Sequence, residues 1–320
     1  MAASTRARNR SSKKPQRDIK QEVTDRVLQL LDEGTVPWRK PWTASAGAQG
    51  RHRSLATRKA YRGVNQLLLT FTRWESPWWL TFNNMVDHGG RFKYEAKEDR
   101  TGELVVFWKR ISIVDKERST PAEEKRKTIW LLKHFTVFNL DQVEGIEPPR
   151  EAEPVPPIES ALAISDGWHQ RSGVHKAYGM PAYSPPVDTV LMPAVQEFKT
   201  PDGYHAAWFH EMVHSTGHAD RLARPGITEP IDNTHPLYAD EELVAEMGAA
   251  MLSAIAGLNV ASLEVNTAAY IDFWRSRISQ DKGLIVNAAA RAQKAVDLIT
   301  DHDPQYEEDP DTTTTEEVAA

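Results

Sequence analysis

The stretch FHEMVHSTGH, residues 209–218, contains a His-Glu-x-x-His pattern. On a helix, residues four apart lie on one face about one turn apart, so His210 and His214 can direct two imidazole nitrogens at one ion. A catalytic zinc site uses three protein ligands and keeps one position for water. Glu211 is then the general base that accepts a proton from the attacking water. The pattern predicts a metal-dependent hydrolase, and the alternative is two histidines buried for structural reasons.

Two positions compete for the third ligand. In the downstream segment DEELVAEMGAA, Glu242 and Glu246 lie one helical turn apart. This resembles the gluzincin pattern, which implies Glu242 as the ligand and Glu246 as the acid that supports a ligating histidine. Alternatively these acids face solvent, and Glu241 is expected to be the most solvated. The spacing HEMVHSTGHAD instead nominates Asp220, with Gly217 permitting a sharp turn. We favour Glu242, because choosing Asp220 leaves the acid-rich helix unexplained.

Charge divides the chain into two parts of opposite sign. Residues 1–140 contain 28 basic and 15 acidic side chains, whereas residues 141–320 contain 11 and 30. A positive half predicts a polyanionic partner. Seven of the ten tryptophans also precede residue 140. Cations interleaved with aromatic rings are typical of proteins that hold single-stranded nucleic acid, with phosphates in a positive groove and bases stacked on rings. We therefore predict single-stranded DNA as a partner.

About half of these seven tryptophans are expected to be core residues, with Trp78, Leu80 and Phe82 at alternating buried positions. Trp108 and Lys109 are weaker candidates for the DNA-binding surface. The side chains expected to be exposed and to contact DNA are flanked by cations or lie near loop glycines: Trp38, Arg39, Lys40, Trp42, Arg58, Lys59, Tyr61, Arg62 and Lys93.

Several protein classes are excluded by composition. The chain has no cysteine, which removes disulfide frameworks and thiolate metal sites and suits a reducing cytoplasm. No apolar run approaches the length of a membrane span. The basic, serine-rich N-terminus has no apolar stretch behind it and is not a secretory signal. We expect a cytoplasmic protein without a membrane partner.

Hydrophobic periodicity predicts an α+β protein with a mixed first domain and a mostly helical second domain that has a small sheet. Apolar residues at helical spacing predict a helix from residue 19 to 31, ended by Gly34 and Pro37. The segments 103–113 and 127–140 predict two strands of a hairpin or meander. The predicted divisions are a disordered basic arm (1–17), a single-stranded-DNA-binding domain (18–145), a linker (146–160), a zincin-like domain (161–300) and a disordered acidic tail (301–320).

The segments GTVPWRKPW, KAYRGVNQLLL, PWWLTFNNMVDHGGRFK and LVVFWK resemble the single-stranded-DNA-binding domain of the ArdC antirestriction family, which also occurs in TraC-type plasmid primases. YHAAWFHEMVHSTGHADRL and YADEELVAEMGAAML resemble the zincin-like metallopeptidase domain fused to it. The resemblance extends from about residue 18 to residue 300. Family members are carried by plasmids and phages, and the type protein is taken to protect incoming single-stranded DNA against host restriction.

The resemblance implies a metal set of His210, His214 and Glu242 with Glu211 as the base, and zinc or another divalent ion such as manganese as the cofactor. It also implies that WRKPW and YRGVN contact DNA. The segment GGRFKYEAKEDRTGE departs from the compact, glycine-rich basic turn usual in the family, which affects the role of Lys93.

The predicted function is therefore that of an antirestriction protein of a mobile element, which binds single-stranded DNA and cleaves a host protein with a zinc-dependent peptidase domain. Two alternatives remain open. One is a metallopeptidase whose basic domain recruits a protein or membrane partner. The other is a non-enzymatic DNA-protecting protein with a structural metal.

Overall fold

A computed structural model of the chain describes residues 17–38, 51–93, 99–115, 125–150, 155–232, 234–260 and 268–303. Most of the predicted basic arm and acidic tail lies outside the described residues, and so do Arg39, Lys40 and Trp42.

The described ranges contain both helices and strands, and the strands form small sheets, which confirms the α+β class. The helices are α1 (Ile19–Asp32), α2 (Val64–Thr70), α3 (Phe82–Asp87), α4 (Pro157–Ser172), α5 (Pro201–Ser215), α6 (Pro225–Thr228), α7 (Pro236–Ala256), α8 (Ala268–Gln280) and α9 (Leu284–Ile299). The strands are β1 (Arg53–Ser54), β2 (Trp78–Leu80), β3 (Arg91–Phe92), β4 (Glu103–Val114), β5 (Arg126–Asn139), β6 (Val143–Glu144), β7 (His175–Tyr178), β8 (Ala182–Ser184) and β9 (Thr189–Met192).

The first helix forms where the apolar spacing predicts it. Asp18 caps its N-terminus by accepting a hydrogen bond from the backbone N–H of Gln21 at 3.2 Å. Val23 and Val27 are fully buried on one face. Gly34 follows the helix in the left-handed conformation, with φ of +77°, which few other residues adopt without strain. The buried face packs against α8 and α9 of the second half.

The four-stranded sheet has the order β1-β2-β5-β4, and the predicted β4–β5 hairpin is confirmed, with Trp108 opposite Leu132. Trp78 and Leu80 are buried as expected, but the Phe82 ring is 50% exposed. The alternation stops because β2 ends at Leu80 and α3 begins at Phe82. Trp79 is also fully buried, since β2 is covered on both faces.

In the second half a three-stranded sheet of order β7-β9-β8 packs on α5, and α7 packs on the same helix. The α5–α7 contact is close at Gly248, where an added Cβ would lie 2.7 Å from Cγ2 of Val213. A side chain at this position would push the two helices apart.

The two halves share one hydrophobic core. Val27 of α1 and Val106 of β4 belong to the same buried cluster as Phe209 of α5, Leu243 of α7 and Ile285 of α9. The predicted domain boundaries stay a prediction, but the halves are joined by this core as well as by residues 146–160. In the part of the chain that the structure describes, no helix is both long and apolar enough to cross a membrane.

Candidate metal centre and nucleic-acid interface

Three side chains from α5 and α7 converge on one point. The Nε2 atoms of His210 and His214 lie 3.1 Å apart, and each lies 3.5 Å from a carboxylate oxygen of Glu242. Ligand atoms about 2.0–2.2 Å from a tetrahedral ion lie roughly 3.3 Å from one another. The spacing therefore fits a single divalent cation, and two histidines with one glutamate are a donor set used by catalytic zinc.

The rival ligand Asp220 is not part of this cluster. Its side chain is 88% exposed, and its carboxylate lies 3.6 Å from Nδ1 of His218. The role expected of Gly217 is also different. It is not among the glycines with positive φ, and an added Cβ there would lie 2.6 Å from Cγ1 of Ile227. Gly217 thus makes room for neighbouring side chains rather than supplying a left-handed turn.

The expectation that Glu241 is the most solvated of the acids is wrong. Its side chain is 5% exposed, and it accepts two hydrogen bonds from Arg224, at 2.6 and 2.7 Å. Consecutive helical residues point about 100° apart, so Glu241 faces the loop that carries Arg224 while Glu242 faces the cluster. Oε1 of Glu241 also lies 3.1 Å from Nδ1 of His214. A proton donated at Nδ1 leaves the Nε2 lone pair for a metal.

Glu246 lines the same cavity as the cluster and accepts a hydrogen bond from the Tyr270 hydroxyl at 3.0 Å. Its role in supporting a ligating histidine stays a prediction. The carboxylate that contacts Nδ1 of His214 is that of Glu241. The loop between α5 and α7 carries two arginines, and a buried arginine needs an acidic partner. The sequence does not indicate that Arg224, rather than Arg221, is the one paired with Glu241.

The electrostatics of the cluster are those of a site that holds a proton when it holds no metal. Burial lowers the pKa of His214, but its contacts with Glu241 and Glu242 outweigh burial and raise the pKa to about 10. Burial raises the pKa of Glu242, whereas hydrogen bonds to His210 and His214 hold this pKa well below its usual range. Because a ligating imidazole is neutral at the ligating nitrogen, cation binding must release a proton.

Sequence reasoning missed Tyr238, whose phenol lies close to the Glu242 carboxylate. Burial, and then the negative charge of Glu242, raise the pKa of Tyr238. The signal was its spacing, since Tyr238 precedes Glu242 by one helical turn on α7. The hydroxyl is therefore placed to help orient the Glu242 carboxylate, which is the third side chain of the cluster.

A cavity of about 530 Å³ opens beside the cluster, and Glu211, His210 and Trp38 contribute to its wall. The expectation that Trp38 is exposed for stacking on DNA is wrong, because its ring is 2% exposed. Its Nε1 donates to the Tyr270 hydroxyl at 3.3 Å, and the ring packs edge-on against Trp274 at 5.4 Å. The segment after α1 thus carries Trp38 into the second half, next to the candidate metal centre.

Three of the predicted DNA-contacting residues line one groove. Lys59, Tyr61 and Arg62 line a groove that also contains Phe107 of β4 and Phe135 of β5, and we call this the aromatic groove. The two phenylalanine rings are stacked, with centroids 4.8 Å apart and planes within 6°. Sequence reasoning missed both rings, although strand alternation places them on the same face as the predicted hairpin's Lys133.

The other side of the segment 59–62 lines a second space, which we call the cationic cavity. Five basic residues contribute to it: Arg51, Arg53, Arg58, Lys59 and Arg62. Arg51 and Arg53 were missed because they have no neighbouring aromatic residue in sequence. Lys93 is exposed after β3 and is not among the residues that line either space.

Comparison with known proteins identifies both halves. Residues 17–138 match the family model for the N-terminal domain of anti-restriction factor ArdC, and residues 162–291 match that for a zincin-like metallopeptidase. A DNA primase TraC of Escherichia coli is 29% identical over 300 residues, which cover 87% of this chain but only 27% of the primase. The uncharacterized protein y4eC of Sinorhizobium fredii is 30% identical over 293 residues, 88% of this chain and 91% of that protein.

Two solved structures share the whole fold. The metal-free antirestriction ArdC protein from the R388 plasmid has a TM-score of 0.69 and 31% identity, covering 89% of this chain and 97% of that one. The Mn(II)-bound structure of the same protein has a TM-score of 0.67 and 30% identity, and it also covers 89% of this chain and 97% of that one.

Proposed function

This chain belongs to the ArdC antirestriction family, and from that premise we propose that it binds single-stranded DNA on its first half and a divalent cation in a peptidase-like site on its second. The observation that carries the proposal is the convergence of His210, His214 and Glu242 beside a cavity that Glu211 also lines. The other half of the molecule presents an aromatic, cationic groove. The activity proposed is protection of incoming DNA of a mobile element in the cytoplasm.

The aromatic groove supports the DNA-binding part of the proposal. Phe135 is partly exposed, and Lys133 is exposed on the same face of the hairpin. Aromatic faces next to cations hold unpaired bases and their phosphates without requiring a particular sequence. A duplex has its bases stacked internally and would gain little from these rings.

The cavity supports hydrolysis of a peptide bond, and the proposed substrate is a host protein. His210, His214 and Glu242 would hold zinc or manganese, which as a Lewis acid polarises a carbonyl group. The buried carboxylate of Glu211, on the next position of α5, would accept a proton from the attacking water and donate it to the leaving amine. Glu241 would keep the His214 ring oriented, and Tyr238 would do the same for Glu242.

The DNA-binding part is tested by titrating a labelled oligo-dT and the matching duplex at several salt concentrations. We expect tighter binding of the single strand, with log K falling linearly with log salt at about −0.7 per phosphate contact. Equal and feeble affinity for both would favour the alternative in which the basic half recruits a protein or a membrane.

The metal part is tested by elemental analysis of the purified protein and of the His210→Ala/His214→Ala variant, with His218→Ala as the matched control. We expect one divalent ion per chain in the wild type and the control, and none in the double variant. Glu211→Gln should retain the ion and lose peptide hydrolysis about 10²- to 10⁴-fold. DNA protection that survives Glu211→Gln would instead indicate that the metal is structural.

A further inference from the structure

The cationic cavity lies between the two halves of the molecule. Its first wall is the segment from Arg51 to Arg62, and its second wall comes from α7 and α9, including Met251, Ile255 and Val296. Its volume is about 430 Å³, within the range of roughly 300–1,000 Å³ that is usual for small-molecule pockets. The halves are tied together at its edge, where the backbone N–H of Gly63 donates to Oε1 of Gln293 at 2.8 Å.

Positive charge in this cavity exceeds negative charge. Five arginine and lysine side chains line it, and Asp297 is the one acidic residue among the described residues of its wall. That carboxylate is already engaged, since it accepts hydrogen bonds from Arg62 and from Gln293. The wall as a whole therefore keeps an excess of positive charge, which favours an anion from outside the chain.

Two arginines show features that the fold alone does not require. Nε of Arg53 is buried and has no hydrogen-bond partner within the described ranges, although a buried donor normally has one. Arg58 has a φ of +63°, a left-handed conformation that favours glycine, in the short turn between β1 and Ala60. Strain held by a non-glycine residue is concentrated at functional sites, where its side chain is needed. Both arginines line the cavity.

We propose that the cationic cavity binds the phosphate group of a nucleotide, whose base lies in the aromatic groove. Lys59, Tyr61 and Arg62 line both spaces, so one nucleotide can span the ridge that they form. Arginine forks match phosphate oxygens in pairs, and the stacked Phe107–Phe135 rings offer an apolar face for a base. This site rests on the proposed DNA binding, and it extends the DNA-binding surface to residues of the second half of the chain.

The test uses the full-length chain and measures binding of dTMP, inorganic phosphate, thymidine and an unphosphorylated oligo-dT by calorimetric titration. The variants are Arg53→Gln and Arg58→Gly, with Arg275→Gln on α8 as the control of equal charge change. We expect dTMP and the oligonucleotide to bind the two cavity variants about 10- to 100-fold more weakly than the wild type and the control. Arg58→Gly should also retain or raise the unfolding temperature, because glycine adopts the left-handed backbone conformation without strain. A loss of binding without a loss of stability then shows that Arg58 contacts the ligand and is not needed for the fold.

The two sources of phosphate are separated by the ligands. If both variants bind dTMP and phosphate more weakly, the site takes a free or terminal phosphate. If the variants weaken only oligonucleotide binding, the site takes a phosphate within the strand. Either result supports the site. Cavity variants that bind every ligand like the wild type would overturn it, and so would thymidine binding as tightly as dTMP. A wild-type protein that retains no oligonucleotide overturns the proposed DNA binding, while the dTMP comparison still tests the cavity.

Discussion

Arg224 and Glu241 form an ion pair directly behind His214, and both side chains are buried. Removing two charges from water is costly, and a buried pair often adds little stability compared with apolar residues of the same size. Its value here lies in orientation, because Arg224 also donates to the carbonyl oxygen of Val213 on α5 and so holds Glu241 at a fixed position beside Nδ1 of His214. The metal cluster depends on this pair without including it.

Replacing Glu241 with glutamine should weaken metal affinity about 10- to 100-fold, because the neutral amide holds the His214 ring less firmly and makes it a weaker ligand. Competition with a chelating dye measures the affinity. Glu246→Gln, which changes the predicted supporting acid, should have a smaller effect. If Glu246→Gln weakened metal affinity more than Glu241→Gln, the supporting role would belong to Glu246.

His52 differs from His214 because burial alone determines its charge state, lowering its pKa to about 4. Its Nδ1 accepts a hydrogen bond from Nε1 of Trp79 at 3.0 Å, so the ring must be neutral at that atom. The unfolded chain binds this proton near pH 6.5 and the folded chain only near pH 4, so between these values the unfolded state binds more protons and stability falls as pH falls.

We therefore expect wild-type protein to lose about 3 kcal/mol of unfolding free energy from this group between pH 6.5 and pH 4, at about 1.4 kcal/mol per pKa unit. Urea denaturation at several pH values measures the loss. His52→Gln, whose amide oxygen can still accept from Trp79, should show a shallower slope over the same interval. A slope equal to that of the wild type would contradict the assignment to His52.

At the scale of elements, the β4–β5 hairpin presents two different faces. Val106 is on the face that reaches the shared core, whereas Phe107 and Phe135 are on the face of the aromatic groove. Trp130 is 62% exposed but lies on the face of Val106, further along the hairpin. Exposure of an aromatic ring therefore does not by itself identify the DNA-binding face.

Phe135→Ala should weaken oligo-dT binding by about 1–3 kcal/mol, the usual contribution of one stacked base. Trp130→Ala on the opposite face should leave the affinity within a factor of about three. Fluorescence anisotropy with a labelled oligonucleotide measures both variants. A larger loss for Trp130→Ala would move the interface to the other face of the hairpin.

At the scale of the whole molecule, Trp38 joins the two halves. It follows α1 in the basic half, yet its ring packs on Trp274 and lines the cavity of the candidate metal centre. With α1 buried against α8 and α9, the first half cannot expose its helix without opening the shared core. The halves are therefore expected to unfold together.

Scanning calorimetry should show a single transition for the wild-type chain. Trp38→Ala should lower the free energy of unfolding of the entire molecule by about 3–5 kcal/mol, since it removes a large buried ring. Tyr270→Phe removes only the hydroxyl that accepts from Trp38 and donates to Glu246, and it should cost about 1–3 kcal/mol. Two separate transitions, of which Trp38→Ala shifts only one, would show that the halves are energetically independent.

The sequence by itself determined those features that depend on residues close together in the chain. The apolar spacing of α1, the alternation of β4 and β5, and the four-residue interval of His210 and His214 are local patterns with a fixed geometric meaning. The α+β class followed from such patterns, and the family followed from the resemblance of several short segments to known members. The structure places Glu242, the acid that the gluzincin resemblance implies, beside both histidines, and its role as a metal ligand stays a prediction.

The tertiary structure decided what depends on packing between distant segments. The way in which the helices and the hairpin approach each other determines three features. It determines which of two adjacent acids faces the loop of Arg224, and whether Trp38 contacts solvent or Trp274. It also determines which cations surround one cavity. The spacing of residues along a helix does not show which element will pack against it. The same amphipathic helix can bury its polar residues against any element that supplies a hydrogen-bond or ion-pair partner. Whether a side chain is buried depends on every element that packs around it, so burial could be read only from the folded structure.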